Sequence, residues 1–117
     1  MTRVALVTGA ARGIGAATVR GLAAQGWAVL AVDRCADDPA LPYQLGRRDE
    51  LDRVAAEAAA VAGDPGAVRV LAADARDGQQ MAGAVAAAEQ HWGGLDAAVA
   101  VAGCPHDSSS QVNIYQL

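Results

Sequence analysis

The sequence predicts an α/β domain built on a doubly wound parallel sheet of about four strands in the order 3-2-1-4. Three observations predict it. Four short apolar runs, Val4–Thr8, Ala28–Val32, Val68–Ala73 and Leu95–Ala102, are spaced along the first 103 residues. The segments between them carry apolar residues at helical spacing. Glycine closes each of those segments, at Gly26, at Gly63 and Gly66, and at Gly93-Gly94. Strands that alternate with helices imply a parallel sheet. Right-handed crossovers around a central first strand then set the order.

Val4–Thr8 reads as a buried strand, apolar without alternation, as strands covered on both faces are. Ile14, Thr18 and Leu22 repeat at helical spacing, and Gly26 supplies a left-handed stop. Ala28–Val32 is the second strand. Arg34 to Arg48, with Pro39, Pro42 and Gly46, is a long βα connection. Leu51, Val54, Ala55, Ala58 and Val61 mark one face of a second helix, stopped by Gly63-Asp64-Pro65-Gly66. Val68–Ala73 is the third strand. Asp77 and Gln80 resemble a capping box at the start of a third helix, whose stripe is Met81, Val85, Ala88 and Trp92. Leu95–Ala102 is the fourth strand. Its edge is uncharged and apolar, and an exposed edge of that kind invites self-association. Residues 104–117 show no clear period and are expected to form an irregular tail.

The first strand runs into Thr8-Gly9-Ala10-Ala11-Arg12-Gly13-Ile14-Gly15. Strand, glycine turn and helix together present backbone N–H groups and a positive helix end to a diphosphate. Gly9 allows the tight turn, Gly13 lets the backbone approach a phosphate, and Gly15 lets the helix pack closely. The second apolar run ends in Asp33. A carboxylate there accepts hydrogen bonds from a ribose 2′-OH and repels a 2′-phosphate, which favours NAD over NADP. Arg12 is a further candidate for a phosphate, and Arg34 beside Asp33 is the one feature that favours NADP.

The Gly-x-x-x-Gly-x-Gly spacing after Thr8 resembles the cofactor motif of the short-chain dehydrogenase/reductase family. Asp33 stands where NAD-preferring members carry their ribose-binding acid. Asp74, in Leu71-Ala72-Ala73-Asp74, stands where the family contacts the adenine edge. The run from Gly93 to Gly103 is similar to the family's fourth strand, although Ala100-Val101-Ala102-Gly103 lacks the two asparagines found there. The first of these ties neighbouring strands, so that tie must be replaced or lost. The Ala-rich version, with the insert around Cys35, is similar to a mycofactocin-associated branch. The resemblance covers residues 1–103 and implies a Rossmann-like, NAD-binding half-domain. It implies cofactor contacts at Gly9, Arg12, Gly13, Ile14, Gly15, Asp33, Asp74 and Gly103.

The family's catalytic Asn, Ser and Tyr-x-x-x-Lys have no counterpart here. The 117 residues contain no lysine, and Tyr43 is followed four positions on by Arg47. Asn113 follows Gly103 too soon to match the helix Asn. The expectation is therefore the cofactor-binding portion of an oxidoreductase that moves hydride between NAD and an alcohol or ketone, inactive alone. A non-catalytic nucleotide-binding module and a truncated remnant are the alternatives.

Composition narrows the rest. A net charge of −4 offers no basic face for nucleic acid. No apolar run approaches the roughly 18 residues that cross a bilayer, and Met1-Thr2-Arg3-Val4 enters a strand without a signal-peptide core. A cytoplasmic protein is expected. Cys35 and Cys104 suggest free thiols, with no metal-ligand cluster around them. His106-Asp107-Ser108 is contiguous, whereas nucleophile, base and orienter come from separate elements. His91, at the end of the third helix, is expected to be structural.

Overall fold

The computed structural model describes residues 2–34, 48–103 and 110–116. The chain runs β1 (Val4–Thr8), α1 (Gly13–Ala24), β2 (Ala28–Asp33), α2 (Arg48–Ala62), β3 (Val68–Ala72), α3 (Gly78–Trp92), β4 (Ala97–Gly103) and β5 (Ser110–Gln116). The sheet order is β3-β2-β1-β4-β5. The first four of these strands are mutually parallel, in the predicted 3-2-1-4 order. The body of the connection expected over 34–48, both cysteines and His106-Asp107-Ser108 lie outside the described residues.

Side-chain alternation divides the core into two layers. Val7, Val29, Ala31 and Val99 face α1 and α2, where they meet Ala16, Val19, Ala23, Leu51, Val54 and Ala58. Val4, Leu6, Ala28, Leu30 and Val32 face the other way, toward Ala84 and Ala88 of α3. Because both faces of β1 and β2 are covered, these strands are apolar up to their last residues, Thr8 and Asp33. The helices change face between β1 and β4, so the topological switch point lies there, the place where open α/β sheets hold ligands.

The buried stripe of α1 differs from the expected one. Gly15, Ala16, Val19 and Ala23 are buried, whereas Ile14 is 46% exposed and Leu22 packs only at the core margin. Small residues let α1 sit close to the sheet and the preceding turn, so its contact face is marked by absent bulk rather than by large apolar groups. In α2 the expected face holds at Leu51, Val54 and Ala58, but Val61 is 62% exposed in the last turn.

Two expectations about the end of the chain are corrected. Residues 110–116 form a strand, and β5 pairs antiparallel with β4, from Ala97–Gln116 to Gly103–Ser110. Only residues 104–109 separate the two strands. A parallel return needs a crossover of a dozen or more residues, while an antiparallel return needs very few. The β4 edge expected to invite self-association is therefore covered, and the sheet ends at β3 and β5 instead.

Candidate functional site

The site is built around the turn from β1 to α1. Gly9 turns the chain with φ +65°. A Cβ on Gly9 would stand 2.7 Å from the Val101 carbonyl oxygen of β4, so the turn lies directly on that strand. The Ala10 N–H donates to the Val32 carbonyl at 3.1 Å, and the Ala11 N–H donates to Asp33 Oδ2 at 3.1 Å. The end of β2 thus holds the turn through one backbone and one carboxylate acceptor.

Gly15 explains how the helix can start so soon after the turn. A Cβ there would be 1.9 Å from the Gly9 carbonyl oxygen, closer than any atoms can approach without moving the backbone. Gly13 is different. It has φ +58°, and a Cβ on it would meet nothing within 4 Å. Among the described residues nothing crowds that side of its backbone. Next to it, Ile14 is half-exposed.

The first N–H groups of any helix lack intrahelical acceptors. At α1 the N-cap residue is Arg12, in extended conformation; it makes no side-chain cap, and the first turn has no acid. The guanidinium of Arg12 turns instead to Glu50 in the first turn of α2. Nε donates to Oε2 and Nη2 to Oε1, both at 2.6 Å. The loop therefore ends in a helix terminus that no side chain caps among the described residues, with a carboxylate at the end of the neighbouring strand. These features fit a dinucleotide: donors for a diphosphate at the start of α1, no Cβ in the way at Gly13, and an acceptor for ribose hydroxyls at Asp33.

Asp74 lies just beyond β3, on the same carboxyl edge as Asp33. Its carboxylate accepts from Arg76 Nε at 3.1 Å, Arg76 Nη2 at 3.0 Å and the Arg76 N–H at 2.9 Å. The side-chain bond from Arg76, followed by its backbone N–H, holds the Asp74 carboxyl at about 2, down from 3.8. The Asp74 N–H donates to Gln80 Oε1 at 2.7 Å. The expected capping box is thus modified. Asp77 Oδ1 caps the N–H groups of Gln79 and Gln80, but Gln80 Oε1 accepts from the Asp74 N–H rather than the Asp77 N–H, while Gln80 Nε2 donates to Asp77 Oδ2 at 3.2 Å.

Gly103 ends β4, paired with Ser110 of β5. The structure thus brings Gly9, Arg12, Gly13, Ile14, Gly15 and Asp33 into one loop-and-strand-end cluster, with Asp74 along the same sheet edge. Three contributors escaped the sequence reading. Thr8 is 6% exposed, and its hydroxyl accepts the Val101 N–H at 3.3 Å, which links β1 to β4 beyond their last paired residues, Val7 and Val99. Asp96 makes a two-way link with Val4: its Oδ2 accepts the Val4 N–H, and its own N–H donates to the Val4 carbonyl, both at 2.8 Å. Glu50 has only its place in an acidic helix start to mark it, and nothing in the sequence connects it with Arg12. His91 Nε2 accepts from Arg69 Nε at 2.6 Å, and its ring stands edge-on to Trp92.

Among the described residues no group of three His, Cys, Asp or Glu is placed to hold a metal. No helix among them is long and apolar enough to cross a membrane.

The family model of the short chain dehydrogenases matches residues 3–116. The chain belongs to this family. The match runs on through β5, beyond the Gly103 limit that the motifs alone suggest. The chain is 39% identical over 101 residues to an uncharacterized oxidoreductase of Mycobacterium tuberculosis, covering 86% of this chain and 36% of that protein. Its fold matches a short chain dehydrogenase from Mycobacterium paratuberculosis bound to NAD, at 32% identity and a TM-score of 0.72, over 80% of this chain and 34% of the other. It also matches YwfH, an NADPH-dependent reductase involved in bacilysin biosynthesis, at 29% identity and a TM-score of 0.65, over 82% and 35%. The chain spans about a third of the length of each.

Proposed function

We propose that this chain is the NAD-binding portion of an oxidoreductase. The observation that carries the reading is the start of α1, where the helix end has no side-chain cap and a Cβ on Gly13, at φ +58°, would meet none of the described residues, two positions after the Ala11 N–H that donates to Asp33. The residues that would hold the cofactor are Gly9, Arg12, Gly13, Ile14, Gly15, Asp33, Asp74 and Gly103. Backbone N–H groups at Gly13 and Ile14 would meet the diphosphate, and the Asp33 carboxylate the ribose hydroxyls. Asp74, kept ionised by Arg76, would accept from the amino edge of adenine. When bound, the nicotinamide supplies hydride transfer to or from an alcohol or ketone carbon in the whole enzyme. Asp33 supports NAD over NADP, because a carboxylate repels a 2′-phosphate; the NAD-bound and NADPH-dependent neighbours stand on either side of that choice. The reading carries with it the cytoplasmic setting expected from the sequence.

A second reading, a nucleotide-binding module that catalyses nothing by itself, has one observation in its favour. The 117 residues contain no lysine and so no Tyr-x-x-x-Lys pair.

A circular-dichroism melt of the chain with millimolar NAD or NADP tests the proposal. A ligand at 100 times its dissociation constant adds about 2.7 kcal/mol. At about 4–8 °C per kcal/mol for a small domain, the midpoint should rise by at least about 10 °C with NAD. An NAD-independent melt would sink the proposal. Binding without NADH formation from any of a panel of alcohols would favour the second reading.

A further inference from the structure

Arg12 occupies an unusual position for a cation at a phosphate site. Its backbone is the N-cap of α1. Its neighbour Ala11 donates its N–H to Asp33 Oδ2, so Arg12 lies one residue from the point where the loop touches the ribose acid. Yet the Nε/Nη2 edge of its guanidinium, the edge that grips a phosphate with two parallel bonds, is engaged by both oxygens of Glu50 at 2.6 Å. That pair joins the starts of α1 and α2 across 38 residues of sequence. Both side chains are solvent-accessible, 44% for Arg12 and 34% for Glu50, and an exposed pair of this kind adds little to stability. Its main effect is therefore on where the guanidinium points and on the charge around it.

We propose that Glu50 is a specificity-determining positioning residue: by clamping the Nε/Nη2 edge of Arg12, it denies that edge to a ribose 2′-phosphate and so strengthens the preference for NAD over NADP. This inference rests on the proposed cofactor reading and extends it to a residue outside the glycine loop. Two carboxylates then act on the same choice by different routes. Asp33 repels the extra phosphate at the ribose. Glu50 neutralises and holds the Arg12 cation. Arg34 follows Asp33 in the chain and is a further cation that could meet the phosphate, so the test must show that any change passes through Arg12.

The test compares the full 117-residue chain with Glu50→Gln, Arg12→Gln and the double variant, measuring dissociation constants for NAD and NADP from ligand-dependent melts. Glu50→Gln should tighten NADP relative to NAD by roughly fivefold, the scale of one exposed charge pair. The double variant should lose that gain. A Glu50→Gln ratio unchanged from the parent overturns the inference while leaving NAD binding intact. A gain that survives in the double variant also overturns it, because bulk charge or Arg34 would then account for the effect. Failure of the parent chain to bind NAD at all overturns the cofactor reading, and this inference with it.

Discussion

Helices α1 and α3 both start at the carboxyl edge of the same sheet, yet their first turns are finished in opposite ways. At α3 the protein satisfies itself: Asp77 Oδ1 accepts from Gln79 and Gln80, and the Gln80 side chain returns to the Asp74 N–H. At α1 no side chain caps the helix, the N-cap arginine is turned away to Glu50, and nothing among the described residues crowds Gly13. A capped end gains stability from its own sequence. A bare end keeps its donors for something else, and forgoes the roughly 1 kcal/mol that a capping side chain contributes. On the proposed cofactor reading, the difference separates a structural helix start from a binding one.

The largest expected effect comes from Gly15. In Gly15→Ala the new methyl would collide with the Gly9 carbonyl at 1.9 Å. Backbone must move, and we expect a loss of about 3 kcal/mol, the upper end of overpacking costs. A urea titration would show this as a lower midpoint; an unchanged midpoint would mean that α1 does not seat on the turn as described.

Gly13→Ala sharpens the comparison, because its Cβ meets no protein atom. Only the strain of φ +58° remains, about 1–2 kcal/mol. The variant should fold, with a lower melting temperature, and should lose the stabilisation by NAD. If NAD still shifts its melt as it does the parent's, the open side of Gly13 is not where the cofactor lies.

Asp77→Ala is the counterpart at α3. It should cost about 1 kcal/mol as a lost N-cap and leave the NAD-induced shift as in the parent. A changed response to NAD would break the division between the two helix starts.

The smallest effect concerns acid. Asp74 has a folded pKa of about 2 against an ordinary 3.8. A carboxyl depressed on folding stabilises the fold above its unfolded value, and that contribution disappears as pH falls from about 3.8 through about 2. Arg76→Gln should move the Asp74 titration, followed by carboxyl NMR, back up toward 3.8. It should also flatten the fall in stability across that acid window. A titration that stays near 2 without Arg76 would assign the depression to another group.

Much of the fold is legible because its signals are local. The five residues of β1, the stop at Gly26, the Asp77 cap and the closing Gly93 each depend on neighbours within a turn or two. So do the positive φ values at Gly9 and Gly13. The stripe of α1 was misread for an equally physical reason. Helical spacing of large side chains points to Ile14 and Leu22, but a helix packed tightly on a sheet buries the residues with least side chain, here Gly15, Ala16, Val19 and Ala23. The tail was misread because Val112 and Ile114 are too few to set a period by themselves.

Sequence alone determined the parallel β3-β2-β1-β4 order, the glycine turn and the acid at the end of β2, because patterning and φ requirements are carried by single residues and short runs. Tertiary structure decided the rest. It brought Arg12 against Glu50, gave Thr8 the link to Val101 and Asp96 the link to Val4, and laid β5 antiparallel on β4. These contacts join residues far apart in the chain. Each partner has many residues of compatible chemistry to choose from, and only the packed sheet and helices decide which of them meet.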